Sequence, residues 1–308
     1  MEWHLAAAYE RGELAIVLEA SEGGIYTRYG FGVAVVGADY RVARSQAALH
    51  PLESPPSGSV VLVTPHEALE AFPFVFDAAR RARVGEISRD QVSWDELVEV
   101  ATPADRATRS RVVHQVDGLI DGYAVYRIAR LPDRSREVVV EECCAVTDAA
   151  YRALFAHLLD IDLTIACSLA PRPLDEPLRH LLLDPRALET TAVRDVSWLR
   201  VVDARAGLAA RRYRGRGAVV LELRDDRCPW NAGRVALVVE EDGTAGVAPT
   251  SVSAELALDA AALGTVILGG TTIGALCRAG RAEELAAGAA SRFDRLASCD
   301  PLPFCDSM

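Results

Sequence analysis

Ala20-Ser21-Glu22-Gly23-Gly24-Ile25-Tyr26-Thr27-Arg28-Tyr29-Gly30-Phe31-Gly32 is the most informative stretch of the chain, and it follows directly on the apolar run Leu14-Ala15-Ile16-Val17-Leu18. An unbroken apolar run predicts a strand buried on both faces, as in a sheet covered by helices. Ser21-Glu22-Gly23-Gly24 then predicts a turn. A hydroxyl and a glycine pair at the end of a buried strand let backbone N–H groups come close to a ligand, and Tyr26 sits one turn further on. The competing reading is plain packing, with Tyr26, Tyr29 and Phe31 fixing a helix onto a sheet.

Working outward, residues 1–11 are helical in composition and end at Gly12, a residue suited to a left-handed helix cap. Residues 33–42 predict another strand. Pro51-Leu52-Glu53-Ser54-Pro55-Pro56-Ser57-Gly58-Ser59 is the clearest linker. Beyond it come a strand at 60–63 and a helix at 66–82 that Pro73 should interrupt. Val112 and Val113 lead through the hairpin turn Asp117-Gly118 into a strand at 122–127. A strand at 137–144 and a helix at 148–159, capped by Thr147 or Asp148, complete an alternation that means an α/β layered domain. The last third begins near Asp195. It predicts strands at 198–202, 218–223, 235–240 and 246–249, with helices at 203–213, 253–259, 273–279 and 283–296. Residues 260–277 hold no charge, but their glycines and threonines predict a short strand, a turn and a helix rather than a membrane span. The expected division is 1–50, 51–194 and 195–308.

Composition removes several chemistries. The 33 basic residues of the 308 are all arginine, so no Schiff-base lysine, phosphate-loop lysine or lysine base is available. A net charge of −11 argues against a nucleic-acid partner. Arg211-Arg212-Tyr213-Arg214-Gly215-Arg216 reads as a solvated helix end or turn, or else as an anion or CoA-phosphate contact. The 7 cysteines form no C-x-x-C chelate, and scattered thiols suggest a reducing, cytoplasmic setting. The start Met1-Glu2-Trp3-His4 puts an acid where a secretory leader carries positive charge. The 6 histidines show no metal-binding spacing, so no metal is expected. Cys228-Pro229-Trp230-Asn231 reads as a loop with a tryptophan anchor, and Glu22 as a solvated acid.

The run from Ala20 to Gly32 resembles the A-S-E-x-x-I-Y-x-R-[FY]-G-[FY]-G signature of GNAT N-acetyltransferases of the enhanced-intracellular-survival (Eis) family. The resemblance continues through Gly122-Tyr123-Ala124-Val125-Tyr126-Arg127, Arg172-Pro173-Leu174-Asp175-Glu176-Pro177-Leu178 and Leu183-Asp184-Pro185-Arg186. It extends to Trp198-Leu199-Arg200-Val201-Val202-Asp203, Leu268-Gly269-Gly270 and Arg292-Phe293-Asp294. It implies an α/β (α+β) fold with a partial N-terminal GNAT domain, a central GNAT-like domain and a C-terminal domain similar to sterol carrier proteins.

The activity implied is direct transfer of acetyl from acetyl-CoA, as cosubstrate, to an amine of aminoglycoside or polyamine type. Tyr26 matches the general acid that protonates the departing thiolate, and Ser21 the residue beside the pantetheine arm. The family's base is the terminal carboxylate, here that of Met308, and Pro301, Pro303 and Phe304 make the tail stiff and partly apolar. With an ordinary pKa of about 3.5, that carboxyl needs desolvation to act as a base. Relatives commonly end in an aromatic residue, whereas this sequence ends in Met308. The family's V-x-V-x-P-x-x-R-R-x-G loop has no counterpart here. Its backbone N–H groups hold the CoA pyrophosphate, so about the first hundred residues of the architecture are expected to be missing, and acetyl-CoA to bind weakly or not at all. A homo-oligomer, hexameric by resemblance, is also implied. The alternative is a non-catalytic assembly module, or a small-molecule- or lipid-binding one with an apolar tunnel.

Overall fold

A computed structural model describes residues 1–52, 57–98 and 109–305, and it divides the chain into two compact units, residues 37–194 and residues 1–36 with 195–308. The sequence division put its first boundary after residue 50. The chain instead leaves one unit for the other within strand β2 (Gly32–Ala43) and returns within β8 (Leu188–Val201). The centre of the expected linker, 53–56, lies outside the described residues.

In the unit of residues 37–194, β2 pairs antiparallel with β7 (Ala166–Pro173), and β7 pairs parallel with β6 (Arg136–Ala145). Antiparallel pairing continues to β5 (Leu119–Arg130), β4 (Arg109–Val116) and β3 (Ser59–Leu62). Helices cover both faces, and side-chain alternation shows it. Val113, Tyr123 and Val125 pack under α3 (Pro65–Arg80) and α4 (Gln91–Val98), whereas their neighbours Val112, Ala124 and Tyr126 pack under α5 (Asp148–Leu159). The β4–β5 hairpin turns at Asp117 and Gly118, both at positive φ, as the sequence predicts. Thr147 caps α5 by accepting from Ala150 N. Pro73 does not interrupt α3. Its capping box at Thr64 and Glu67 and its buried Ala68, Phe72, Val75 and Phe76 hold the helix through the proline. Each large side chain buried there contributes about 1.5–3 kcal/mol, enough to outweigh one lost backbone bond.

The other unit holds a five-stranded sheet in the order β11 (Ala245–Pro249), β10 (Gly233–Val239), β9 (Gly217–Arg224), β12 (Leu256–Asp259), β13 (Ala282–Glu284). Its core is filled by Leu221, Leu237 and Leu258 of the sheet with Leu208, Val266 and Phe293 of the helices. α10 (Ala289–Ala297) buries Ala289, Ala290, Phe293, Leu296 and Ala297, the single stripe expected of a surface helix. α1 (Glu2–Glu10) buries Leu5 and Ala8 against Val202 and Cys228, and Tyr9 stacks on Trp230. No helix among the described residues is long and apolar enough to cross a membrane.

Four expectations need correction here. Residues 253–259 are not a helix: Leu256, Ala257 and Leu258 are buried in β12, parallel to β9, and so short a strand leaves no period to read. Residues 283–296 split into β13 and α10. In residues 260–277 the expected short strand is a helix, α8 (Ala260–Val266), capped by the side chain of Asp259, while the expected helix is present as α9 (Ile273–Arg278), capped by Thr272. Finally, β1 (Ala15–Leu18) is an edge strand paired with β8, and its Val17 is exposed rather than covered on both faces.

β2 begins tight against α8. A Cβ on Gly32 would run into the Ala261 carbonyl, with Thr265 N at 2.7 Å, and Gly264 of the same helix presses on the Leu199 carbonyl. Gly32→Ala should therefore lower stability by about 1–3 kcal/mol through overpacking, read as a lower denaturation midpoint at unchanged m-value. An unshifted midpoint would show that the helix can move away.

Candidate active site

Ser21 is exposed in the loop that follows β1. The expected turn at residues 21–24 is in fact the entry to a short helical turn, α2 (Gly23–Tyr26), which tightens over Thr27–Tyr29 and stops at Gly30. Gly30 has φ 82°, the left-handed conformation that glycine adopts without strain. The turn closes on itself: Thr27 Oγ1 donates to Gly23 O at 2.9 Å, Gly30 N to Thr27 O at 3.0 Å and Phe31 N to Tyr26 O at 3.3 Å. Tyr26 is half-buried, its ring meeting buried Phe31 edge-on at 5.9 Å. The packing expected of these aromatics is present in the contact of the Tyr26 ring with Phe31.

Beside this turn lies a cleft of about 150 Å³, lined by Thr27, Phe31, Trp198, Thr265, Leu276 and Arg281, among others. Its wall is mainly apolar, and the Arg281 guanidinium donates to Asp259 Oδ2 at 3.2 Å. The C-terminal segment approaches the same strand. A Cβ on Gly270 would lie 2.8 Å from Pro303 Cγ and 3.6 Å from Ala34 O of β2, and Phe304 and Cys305 are buried. Met308 lies outside the described residues. The structure therefore places Ser21 in the loop that leads into the turn of Tyr26 and brings the tail, as far as Cys305, alongside the strand that leaves that turn.

The turn rests on β8. A Cβ on Gly23 would lie 2.9 Å from the Trp198 ring, and one on Gly30 would lie 2.9 Å from Arg200 Nε. Trp198 Nε1 donates to Asp195, and Arg200 Nη2 donates to both oxygens of Asp225 at 2.7 and 2.8 Å. Asp225 also accepts from Cys228 N and Asn231 Nδ2, each at 3.0 Å. Burial pushes the Cys228 thiol up to about 11, so it stays a neutral packing group. Asn231, the single asparagine, is used as a buried connector: its Oδ1 accepts from Ala204 N.

Other candidates are absorbed by structure. Arg211 donates to Ile267 O and Ala297 O and lies over the Tyr213 ring, while Arg212, Arg214 and Arg216 are exposed. Trp230 donates to Val202 O, as an anchor should. His114 is fully buried between Asp121 and Ser57 O. Sequence reasoning missed Arg200 and Asp225 as members of the framework beneath the turn. Spacing offered a signal for Arg200 alone, since positions 198 and 200 of one strand share a face.

The sequence itself matches two family models, the acetyltransferase (GNAT) domain over residues 85–201 and the sterol carrier protein domain over residues 204–306. It is 34% identical over 323 aligned positions to an uncharacterized N-acetyltransferase of Streptomyces avermitilis, covering 100% of this chain and 75% of that protein. It is 36% identical to N-acetyltransferase Eis of Mycobacterium tuberculosis, covering 88% of this chain and 66% of the relative. The fold matches the crystal structure of Eis1 from Mycobacterium abscessus with a TM-score of 0.86 at 35% identity, over 99% of this chain and 76% of that one.

Proposed function

Because the chain belongs to the Eis-like family of GNAT N-acetyltransferases, we propose that it transfers acetyl from acetyl-CoA directly to a small-molecule amine at the Tyr26 turn. The observation that carries this reading is the placement of Tyr26: half-buried, ring held by Phe31, one residue from the cleft wall at Thr27.

Acetyl-CoA, when bound, supplies the activated acetyl group. The turn suits it, because a Cβ on Gly24 would meet nothing, Ser21 is exposed beside it, and backbone there is open to approach. Ser21 would hold the pantetheine arm. The Tyr26 hydroxyl would give its proton to the departing thiolate as the C–S bond breaks and the C–N bond forms. The amine's proton would pass to the terminal carboxylate of Met308. Three residues separate it from buried Cys305, a reach of at most about 10 Å, and a desolvated carboxylate would be the stronger base.

The acidic balance, −11 overall, favours cationic acceptors, in keeping with an aminoglycoside or a polyamine. Seven cysteines outside any disulfide fit a reducing cytoplasm, and the working form is taken to be a homo-oligomer, hexameric as the resemblance implies. The test is kcat/KM for a panel of aminoglycosides and polyamines. At least one polycation should exceed a neutral amine of similar size by about tenfold or more, with the advantage shrinking as salt rises. A salt-independent preference for neutral amines would contradict the proposed acceptor class.

A further inference from the structure

We infer that Arg200 is a positioning residue for the Tyr26 turn, acting through Gly30; the inference rests on the catalytic reading of Tyr26. β8 supports the turn at both of its ends with side chains from one face. Trp198 lies under Gly23, where the turn begins, and Arg200 lies under Gly30, where it ends. Arg200 is fully buried, and its position is fixed from below by the two-pronged contact to Asp225 and from the side by its own bond to Val201 O at 2.8 Å. A planar guanidinium held at three points is a rigid floor.

Gly30 is where that floor meets the turn. Its N–H closes the turn onto Thr27 O, and the next N–H, from Phe31, holds Tyr26 O. Phe31 also supplies the ring against which Tyr26 rests. A shift of Arg200 would therefore move Gly30, then Phe31, then the phenol. Asp225 and Asn231 extend the support to Val202 O and Ala204 N, at the start of the C-terminal domain.

Arg200→Lys keeps the charge and removes the planar group whose Nη2 donates to both Asp225 oxygens while Nη1 holds Val201 O. Two measurements on the full chain decide the inference. In hydrogen exchange, the amides of Gly30 and Phe31 should exchange about tenfold faster or more, while those of β10 remain unchanged, because the opening is local. In a double-mutant cycle with Tyr26→Phe, Arg200→Lys should lower kcat about tenfold beside Tyr26 but less than about twofold beside Phe, since only a working acid can be misplaced. Unaltered exchange at Gly30 and Phe31, or equal losses in both backgrounds, overturns the inference. If Arg200→Lys does not fold, Asp225→Asn, which weakens the hold on the guanidinium from below, reads the same linkage. Undiminished turnover by Tyr26→Phe would count against the acid role of Tyr26 and leave the exchange result to decide the brace.

Discussion

Tyr26→Phe is expected to lower kcat for amine acetylation by about 10²-fold or more, with little change in KM for acetyl-CoA. The substitution removes one hydroxyl and keeps the ring, so the edge-on contact with Phe31 and the closure of the turn through Phe31 N and Tyr26 O survive. In the proposed mechanism, what is lost is the proton that neutralises the thiolate as it leaves. A factor of 10² corresponds to about 2.7 kcal/mol of transition-state stabilisation, an ordinary value for one positioned acid. Because the interaction exists only as the C–S bond breaks, kcat and kcat/KM should fall together. Steady-state kinetics at saturating amine checks this, and unchanged kcat would remove Tyr26 from the chemistry.

The largest effect on stability should come from Asp225→Ala, about 3–5 kcal/mol. Both partners are nearly inaccessible, with side-chain exposures of 1% for Arg200 and 4% for Asp225. Removing the carboxylate leaves a guanidinium buried without its counter-charge, and it also strips the acceptor from Cys228 N and Asn231 Nδ2. Set against a total stability of about 5–15 kcal/mol, that loss is a large fraction of the whole. Chemical denaturation should show the midpoint falling at constant m-value. Asp225→Asn, which keeps acceptor geometry on one oxygen, should lose less. Equal, small losses for both variants would mean that solvent reaches Arg200.

Much of this was readable in the chain because the signals were local. Asp117-Gly118 dictates its hairpin, Thr147 its helix start, and the run from Ala20 to Gly32 marks the turn that bears Tyr26. The reading failed where tertiary packing overrides local preference. Leu256-Ala257-Leu258 resembles helix-forming sequence, yet it is a strand because β9 and β13 flank it. Pro73 should end a helix, yet the buried phenylalanines beside it carry α3 onward. Asp259 announces α8 as an N-cap, a signal hidden by the glycines and threonines that follow it, whereas the helix expected at 273–279 is present as α9. The support of the site was the least legible part. Arg200 and Asp225 are 25 positions apart, and nothing in spacing alone pairs a buried arginine with a distant aspartate.

The most direct test is to incubate the purified chain with acetyl-CoA and each polycationic amine, following released CoA thiol and acetylated amine together. Direct transfer at the Tyr26 turn predicts thiol release only when the amine is present, matched one for one by acetylated amine, with no acetyl group left on the protein. Release without amine product, or no release from folded protein, would contradict it.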